Sequence, residues 1–325
     1  MDGFLSLALT NLSSPLILSF VLGVAAALGR SDLVFPEAAA KALSIYLLFA
    51  IGMKGGVSVA EHGIDLRLGL TVMAGLLLSA ALPLIAFWLL GIMTRLDRTN
   101  AAAVAAHYGS ISIVTFVAGT SVLESAGIAS DGFMVAVAAA MEAPAILSAL
   151  WLISRGGSGT QVDAELWREI LLNGSIVLLV GAFAIGMIVG KEGMVEVESF
   201  FVAPFKGALC LFLLDMGLVA GRGLRRSRDV LTPGLLAFGL LMPLVGGFLG
   251  ALCGLAIGLP TGSLFLLMVL SASASYIAVP AAMRVAVPEA DPGIYLTLSL
   301  GITFPFNLTL GLPIYLALAR GITGG

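Results

Sequence analysis

The chain has 325 residues, of which 59% are hydrophobic and 11% charged, with a formal net charge of −3. A soluble domain carries about 25% charged residues, so most of this surface faces something other than water. The negative balance excludes a nucleic-acid partner, and Cys210 and Cys253, both in apolar runs, read as small packing residues rather than a disulfide or metal pair.

A membrane crossing needs about 20 apolar residues. The apolar pattern predicts ten spans, at 8–29, 36–53, 68–93, 99–123, 131–154, 168–190, 199–221, 230–258, 261–287 and 292–319. The first run has no basic leader region and no cleavage site, and reads as a retained helix. The second and seventh spans are the least regular, because Lys41 and Lys206 lie near their starts. Lysines there can snorkel to headgroups. No soluble domain is left over, since the longest polar stretch, Ser154–Trp167, is only a linker. The expected fold class is an all-α membrane protein, surrounded by lipid.

Orientation follows the basic residues. One set of loops carries Arg30, Arg95, Arg98, Arg155, Arg168, Arg222, Arg225, Arg226, Arg228 and Arg284. The other carries Lys54, Arg67, Lys191 and Arg320. The arginine-rich side is expected to be cytoplasmic, with both termini outside. Trp88, Trp151 and Trp167 fall near predicted span ends, where indoles prefer the interface.

The two halves of the chain resemble each other. Leu16–Arg30 echoes Val177–Lys191, Leu48–Gly56 echoes Leu213–Gly221, Gly109–Phe116 echoes Ser273–Pro280, and Pro144 matches Pro305, all at offsets of about 161–165 residues. A constant offset argues for duplication, and an odd number of spans per repeat forces opposite orientations. The expected domains are a first five-helix repeat at 1–154, a cytoplasmic linker at 155–167 and an inverted second repeat at 168–325. Such repeats are typical of secondary transporters, whose sites lie near the midplane between them.

Two small-residue segments occupy matched places, His107–Thr115 in the fourth span and Ser271–Pro280 in the ninth. Hydroxylated residues with Gly or Pro at mid-depth suggest helices interrupted in the membrane, whose freed backbone needs protein, water or ligand. A half-helix N-terminus carries about +0.5 charge and unpaired N–H groups. Two such ends aimed at one point make an anion site without Lys or Arg. Ser110, Ser112, Ser273 and Ser275 add hydroxyls. The competing reading is a pair of packing seams, and the matched positions in a repeat favour the functional one.

Glu142 precedes Pro144, Asn307 follows Pro305, and Asp215 lies in the seventh span. A mid-membrane carboxylate costs roughly 3 kcal/mol on insertion scales and is a functional candidate by default. Glu142 and Asn307 are expected to hold a cation or orient the broken helices. The alternative for Glu142 is a protonated structural carboxyl. Lys206 is a poor partner for Asp215, because the pair requires the helix to bend. His107 reads as a hydrogen-bonded structural group. No HExxH, GxGD, GxxxxGK[ST] or CxxC pattern occurs, so the chain is not expected to be an enzyme and no cofactor is expected.

At Phe35–Gly56, His107–Ile128, Met141–Ala145, Ser271–Tyr295 and Gly301–Arg320 the chain resembles the sodium-dependent bicarbonate transporter family, best known from cyanobacteria. The resemblance implies two inverted repeats forming core and gate domains, with broken fourth and ninth helices crossing at the midplane and an elevator-like movement. It implies a homotrimer in the bacterial inner membrane, carrying bicarbonate with sodium as coupling ion. Carried over by position, Gly109, Ser110, Ile111, Ser112, Ser273, Ala274, Ser275 and Tyr276 bind substrate, while Ser112, Thr115, Glu142, Ser273, Thr303 and Asn307 bind sodium.

Two departures matter. The cyanobacterial second motif is Ser-Ser-Ser-Asp, where this chain has Ser273–Tyr276, so a carboxylate becomes a phenol and a hydroxyl is lost. That change weakens sodium binding or alters its stoichiometry, and gives an anion a new donor. The cyanobacterial branch also has a long cytoplasmic insert and a PII-like nucleotide-binding regulator. The short linker here counts against that partner. The leading expectation is a sodium-coupled symporter of bicarbonate or a similar small anion. The alternatives are a sodium- or proton-coupled carrier of a small organic carboxylate, and a non-transporting membrane sensor.

Overall fold

The computed structural model describes residues 12–63, 65–154, 168, 172, 174–226 and 231–324. The expected linker at 155–167, with Arg155 and Trp167, lies outside the described residues, as do Arg228 and the start of the first span. Among the described residues the chain is helical, with no strand. The first half forms α1 (Pro15–Leu28), α2 (Glu37–His62), α3 (Leu66–Met93), α4 (Arg98–His107), α5 (Ile113–Ala126), α6 (Met134–Ala140) and α7 (Ala143–Ser154). The second forms α8 (Gly174–Phe201), α9 (Phe205–Arg226), α10 (Pro233–Ile257), α11 (Thr261–Ala272), α12 (Ala278–Ala286) and α13 (Pro292–Thr323).

Among the described residues seven stretches are long and apolar enough to cross a membrane: α2, α3, α6 with α7, α8, α9, α10 and α13. Helices α1, α5 and α11 are apolar but shorter. The outer surface fits a lipid environment, with Leu66, Trp88 and Ile188 at 78%, 63% and 83% exposure.

Local chemistry sets the helix starts. Asp65 accepts the Leu68 N–H, Asp97 the Asn100 N–H, Ser112 the Thr115 N–H and Thr232 the Leu235 N–H, each quenching a donor that the first turn leaves unpaired. Gly127 and Gly258 end α5 and α10 in the left-handed region that glycine reaches without strain.

Several boundaries differ from expectation, among them the seventh span, expected at 199–221, which runs from Phe205 to Arg226 and so holds Arg222, Arg225 and Arg226 in its last turns rather than in a loop. The second span does not stop at residue 53 but runs to His62, because Gly55 and Gly56 pack against neighbours instead of breaking the helix. Lys54 therefore lies inside α2 rather than in a loop. The sixth span continues to Phe201 across a kink at Gly190, where φ is 61°. The fifth is divided at Met141–Glu142, just before Pro144, whereas α13 continues through Pro305. The α13 stretches Thr297–Thr303 and Asn307–Gly311 are wound more widely than an α-helix, a feature frequent at functional sites.

Helix α2 packs against α8, and α1 against α9. Both contacts are close backbone approaches at small residues. A Cβ on Gly56 would overlap the Phe183 carbonyl, and one on Gly217 the Phe20 carbonyl. Helices α4 and α11 are buried along nearly their whole length. Helix α4 lies against α3 and α7, and α11 against α10 and α13. The two interrupted spans are thus held in the interior while α8 faces outward.

Candidate functional site

The fourth span is interrupted between His107 and Ile113, and the ninth between Ala272 and Ala278. The two breaks are bonded to each other. The Ser112 N–H donates to Ser273 Oγ at 2.9 Å, and the Ser275 N–H donates to the His107 carbonyl at 2.7 Å. Each break supplies a donor and an acceptor to the other, so interrupted backbone that cannot reach water is satisfied across the crossing. Ser273 Oγ passes its own proton to the Leu270 carbonyl at 2.8 Å.

Around this pair the hydroxyls form short chains. Ser112 Oγ accepts the Thr115 hydroxyl at 2.9 Å and the Thr115 N–H at 3.2 Å, capping α5. Ser275 Oγ accepts the Val279 N–H at 3.4 Å in the first turn of α12. Ser110 donates to Glu142 Oε2 at 3.0 Å. Glu142 lies at the interruption between α6 and α7, which is held by the Ser79 hydroxyl donating to the Met141 carbonyl at 2.6 Å. In the second half, Asn307 donates to the Ala272 carbonyl at 2.8 Å and accepts the Tyr315 hydroxyl at 3.0 Å. Glu142 and Asn307 therefore each brace one broken span.

The starts of α5 and α12 share a cavity of about 10 Å3, lined by Ser112, Ile113, Glu142, Ser275, Tyr276 and Ala278 among others. That is about the space of one water. The Tyr276 hydroxyl is buried on the Ser112 side of the break, short of hydrogen-bonding geometry with any partner. The Tyr276 ring lies edge-on to Phe304 at 5.3 Å.

A much larger vestibule, about 770 Å3, opens beside the C-terminal turns of α9 and the first turns of α13. Arg222 and Arg226 line it, and Tyr276 and Ile277 form its inner end. Arg222 is anchored by donating to the Leu33 carbonyl at 2.8 Å. Toward the other end of α9, about 24 Å from Arg222 at 1.5 Å per residue, Lys206 stands 3.9 Å from Glu124, and Lys54 of α2 stands 3.4 Å from the same carboxylate.

Of the expected substrate residues, Ser112, Ser273, Ser275 and Tyr276, with Ile111, meet at the crossing, whereas Gly109 packs on Pro83 and Ser79 of α3 and Ser110 on Glu142. Of the expected sodium ligands, Ser112, Thr115 and Ser273 form one cluster, with Glu142 lining the adjoining cavity. Thr303 and Asn307 have other partners. Thr303 donates to the Gly239 carbonyl at 2.7 Å, so Tyr108 must donate to Thr303 across their 2.8 Å contact. His107 Nδ1 meets the Ala103 carbonyl at 2.7 Å and the ring stacks on Tyr295, while Nε2 is buried without a partner among the described residues. Lys206 stands beside Glu124, while Arg222 lies two turns from Asp215 along the same helix. Arg222 and Arg226, expected only as topology anchors, also line the vestibule. No local sequence signal places them near Tyr276.

No curated protein matches the chain in sequence comparison. Residues 15–320, nearly the whole length, match the model of a transporter family. With several long apolar helices, that match makes the chain a multi-pass membrane transporter. The chain belongs to the Na+-dependent bicarbonate transporter superfamily.

Proposed function

We propose that this chain is a sodium-coupled symporter of bicarbonate or a similarly small anion. The observation that carries the reading is the convergence of the α5 and α12 N-termini, from matched positions of the two halves, on one cavity. Helix starts offer N–H donors and partial positive charge to an anion. The hydroxyl oxygens of Ser112, Thr115 and Ser273 and the carboxylate of Glu142 offer hard oxygen ligands to a cation beside it. The Tyr276 phenol takes the place of the family carboxylate and donates to the anion.

The reading includes ten spans in two inverted repeats, 1–154 and 168–325. The glycine contacts support it: Gly52 and Gly56 meet α8, while Gly217 and Gly221, 165 residues later, meet α1. Helices α1, α2, α8 and α9 are assigned to a gate domain and the broken spans to a core domain that slides past it. A cavity of about 10 Å3 is too small for bicarbonate, so the crossing opens for the anion to bind. The proposal extends to a homotrimer in the bacterial inner membrane with both termini outside.

A second reading, a carrier of a small organic carboxylate, is favoured by the size of the vestibule and by Tyr276. Labelled bicarbonate uptake into proteoliposomes, with and without an inward sodium gradient, tests the first reading. Gradient-driven accumulation that is lost when choline replaces sodium is expected. Uptake indifferent to sodium overturns the coupling. No bicarbonate uptake, with uptake of labelled acetate or pyruvate, selects the second reading.

A further inference from the structure

Tyr276 and Ile277 line two spaces at once, the vestibule of about 770 Å3 and the crossing cavity of about 10 Å3. Among the described residues no other side chain is common to both linings. The two spaces differ about 77-fold in volume and share only these two residues, which therefore form the wall between the large entrance and the helix N-termini. They lie in the non-helical break before α12.

Tyr276 is suited to moving. It is only 8% exposed, yet among the described residues its hydroxyl has no partner in hydrogen-bonding geometry, with Ser112 its nearest polar neighbour, so displacing the ring breaks at most a weak contact. Its ring contact with Phe304 is edge-on at 5.3 Å, a single aromatic pair that a ring displacement gives up. A buried polar atom without a partner is unfavourable, and a ligand oxygen in the opened wall would relieve that. On the entrance side Arg222 and Arg226 supply a positive field, which a narrow low-dielectric cleft concentrates.

We propose that Tyr276 is a gate: its ring closes the arginine-lined vestibule off from the crossing cavity, and its displacement admits a small monoanion, to which the phenol then donates. The identity of the ligand rests on the anion reading above, whereas the gate itself rests on the two shared linings.

The test uses thiol labelling of the full chain in liposomes, which requires no transport. In a background with Cys210→Ala and Cys253→Ala, Ser275→Cys places a thiol in the cavity, and Ser112→Cys repeats the assay from the other break. The probes are an anionic sulfonate methanethiosulfonate and its cationic trimethylammonium counterpart. With Tyr276 present, labelling is expected to be slow. With Tyr276→Ala added, it is expected to become much faster, with the anionic reagent favoured by about tenfold, a preference that Arg222→Gln with Arg226→Gln removes. Equal rates with and without Tyr276→Ala at both thiol positions overturn the gate. A faster rate with no charge preference overturns the role of the arginines. Because labelling is read without uptake, a failed sodium-symport assay leaves this result standing, and the reverse holds too.

Discussion

The backbone N–H of Ser112 donates to the hydroxyl of Ser273 at 2.9 Å, joining residues 161 positions apart in the chain. With the reciprocal bond from Ser275 to His107, this contact makes two interrupted helices one unit. Ser273→Ala leaves a buried N–H unpaired, which costs about 1–3 kcal/mol. The expected result is a lower Tm in detergent together with loss of uptake. An unchanged Tm would mean that the crossing does not depend on this bond.

Gly109 touches α3. A Cβ there would overlap the Pro83 ring and come within 2.6 Å of the Ser79 carbonyl. Gly109→Ala is therefore expected to destabilise by about 1–3 kcal/mol through overpacking. Gly207→Ala, where an added methyl meets nothing within 4 Å, is expected to be neutral or to gain up to about 1 kcal/mol from helix propensity. Thermal unfolding of the two variants side by side checks the contrast.

Glu142→Gln preserves an acceptor for the Ser110 hydroxyl and removes the charge. If Glu142 serves the coupling cation, the sodium concentration for half-maximal uptake rises by about tenfold, equivalent to about 1.4 kcal/mol, with Tm little changed. A superimposable sodium curve removes Glu142 from the ion site.

Lys54 and Lys206, on α2 and α9, converge on Glu124 at the end of α5. All three side chains are at least 30% exposed, so the tie contributes at most about 1 kcal/mol. Glu124→Gln is expected to shift Tm only slightly. Because the tie joins helices assigned to different domains, its loss in Glu124→Gln is expected to speed labelling of the Ser275→Cys thiol. A large fall in Tm would make the cluster a structural support instead.

The Asn100 N–H at 2.9 Å and the Asn100 side-chain amide at 2.6 Å hold the Asp97 carboxyl below its usual range. A lowered folded value means that the stabilisation is present above the unfolded pKa of about 3.9 and is lost as pH falls through the folded value. Hydrogen-exchange protection in the first turn of α4 should therefore decline below about pH 4. Asp97→Asn should flatten that dependence. Asn100 Oδ1 also accepts the Asp291 N–H at 2.8 Å, so the start of α13 should loosen in the same pH range.

The membrane class was legible because hydropathy is a local property: a run such as 68–93 declares its solvent without reference to its neighbours. The breaks at His107–Ile113 and Ala272–Ala278 were legible for a related reason, since clustered Ser, Gly and Pro weaken a helix wherever it packs. Their pairing was foreshadowed by the repeat, which placed the two motifs at equivalent positions. Span ends read less well. The second span, expected to stop at residue 53 with Lys54 in a loop, continues through Gly55 and Gly56, because each glycine is filled by a neighbouring element.

Apolar runs, the constant offset between the halves and the two serine-rich interruptions are properties of residues close in the chain, and they settled solvent, family and the segments to watch. Folding alone decided that Ser112 bonds Ser273, that Glu142 braces Ser110 while Asn307 braces Ala272, and that Arg222 shares a vestibule with Tyr276. Those relations depend on which helices meet and at what depth. Packing between distant segments sets that geometry, and hydropathy and spacing do not encode it.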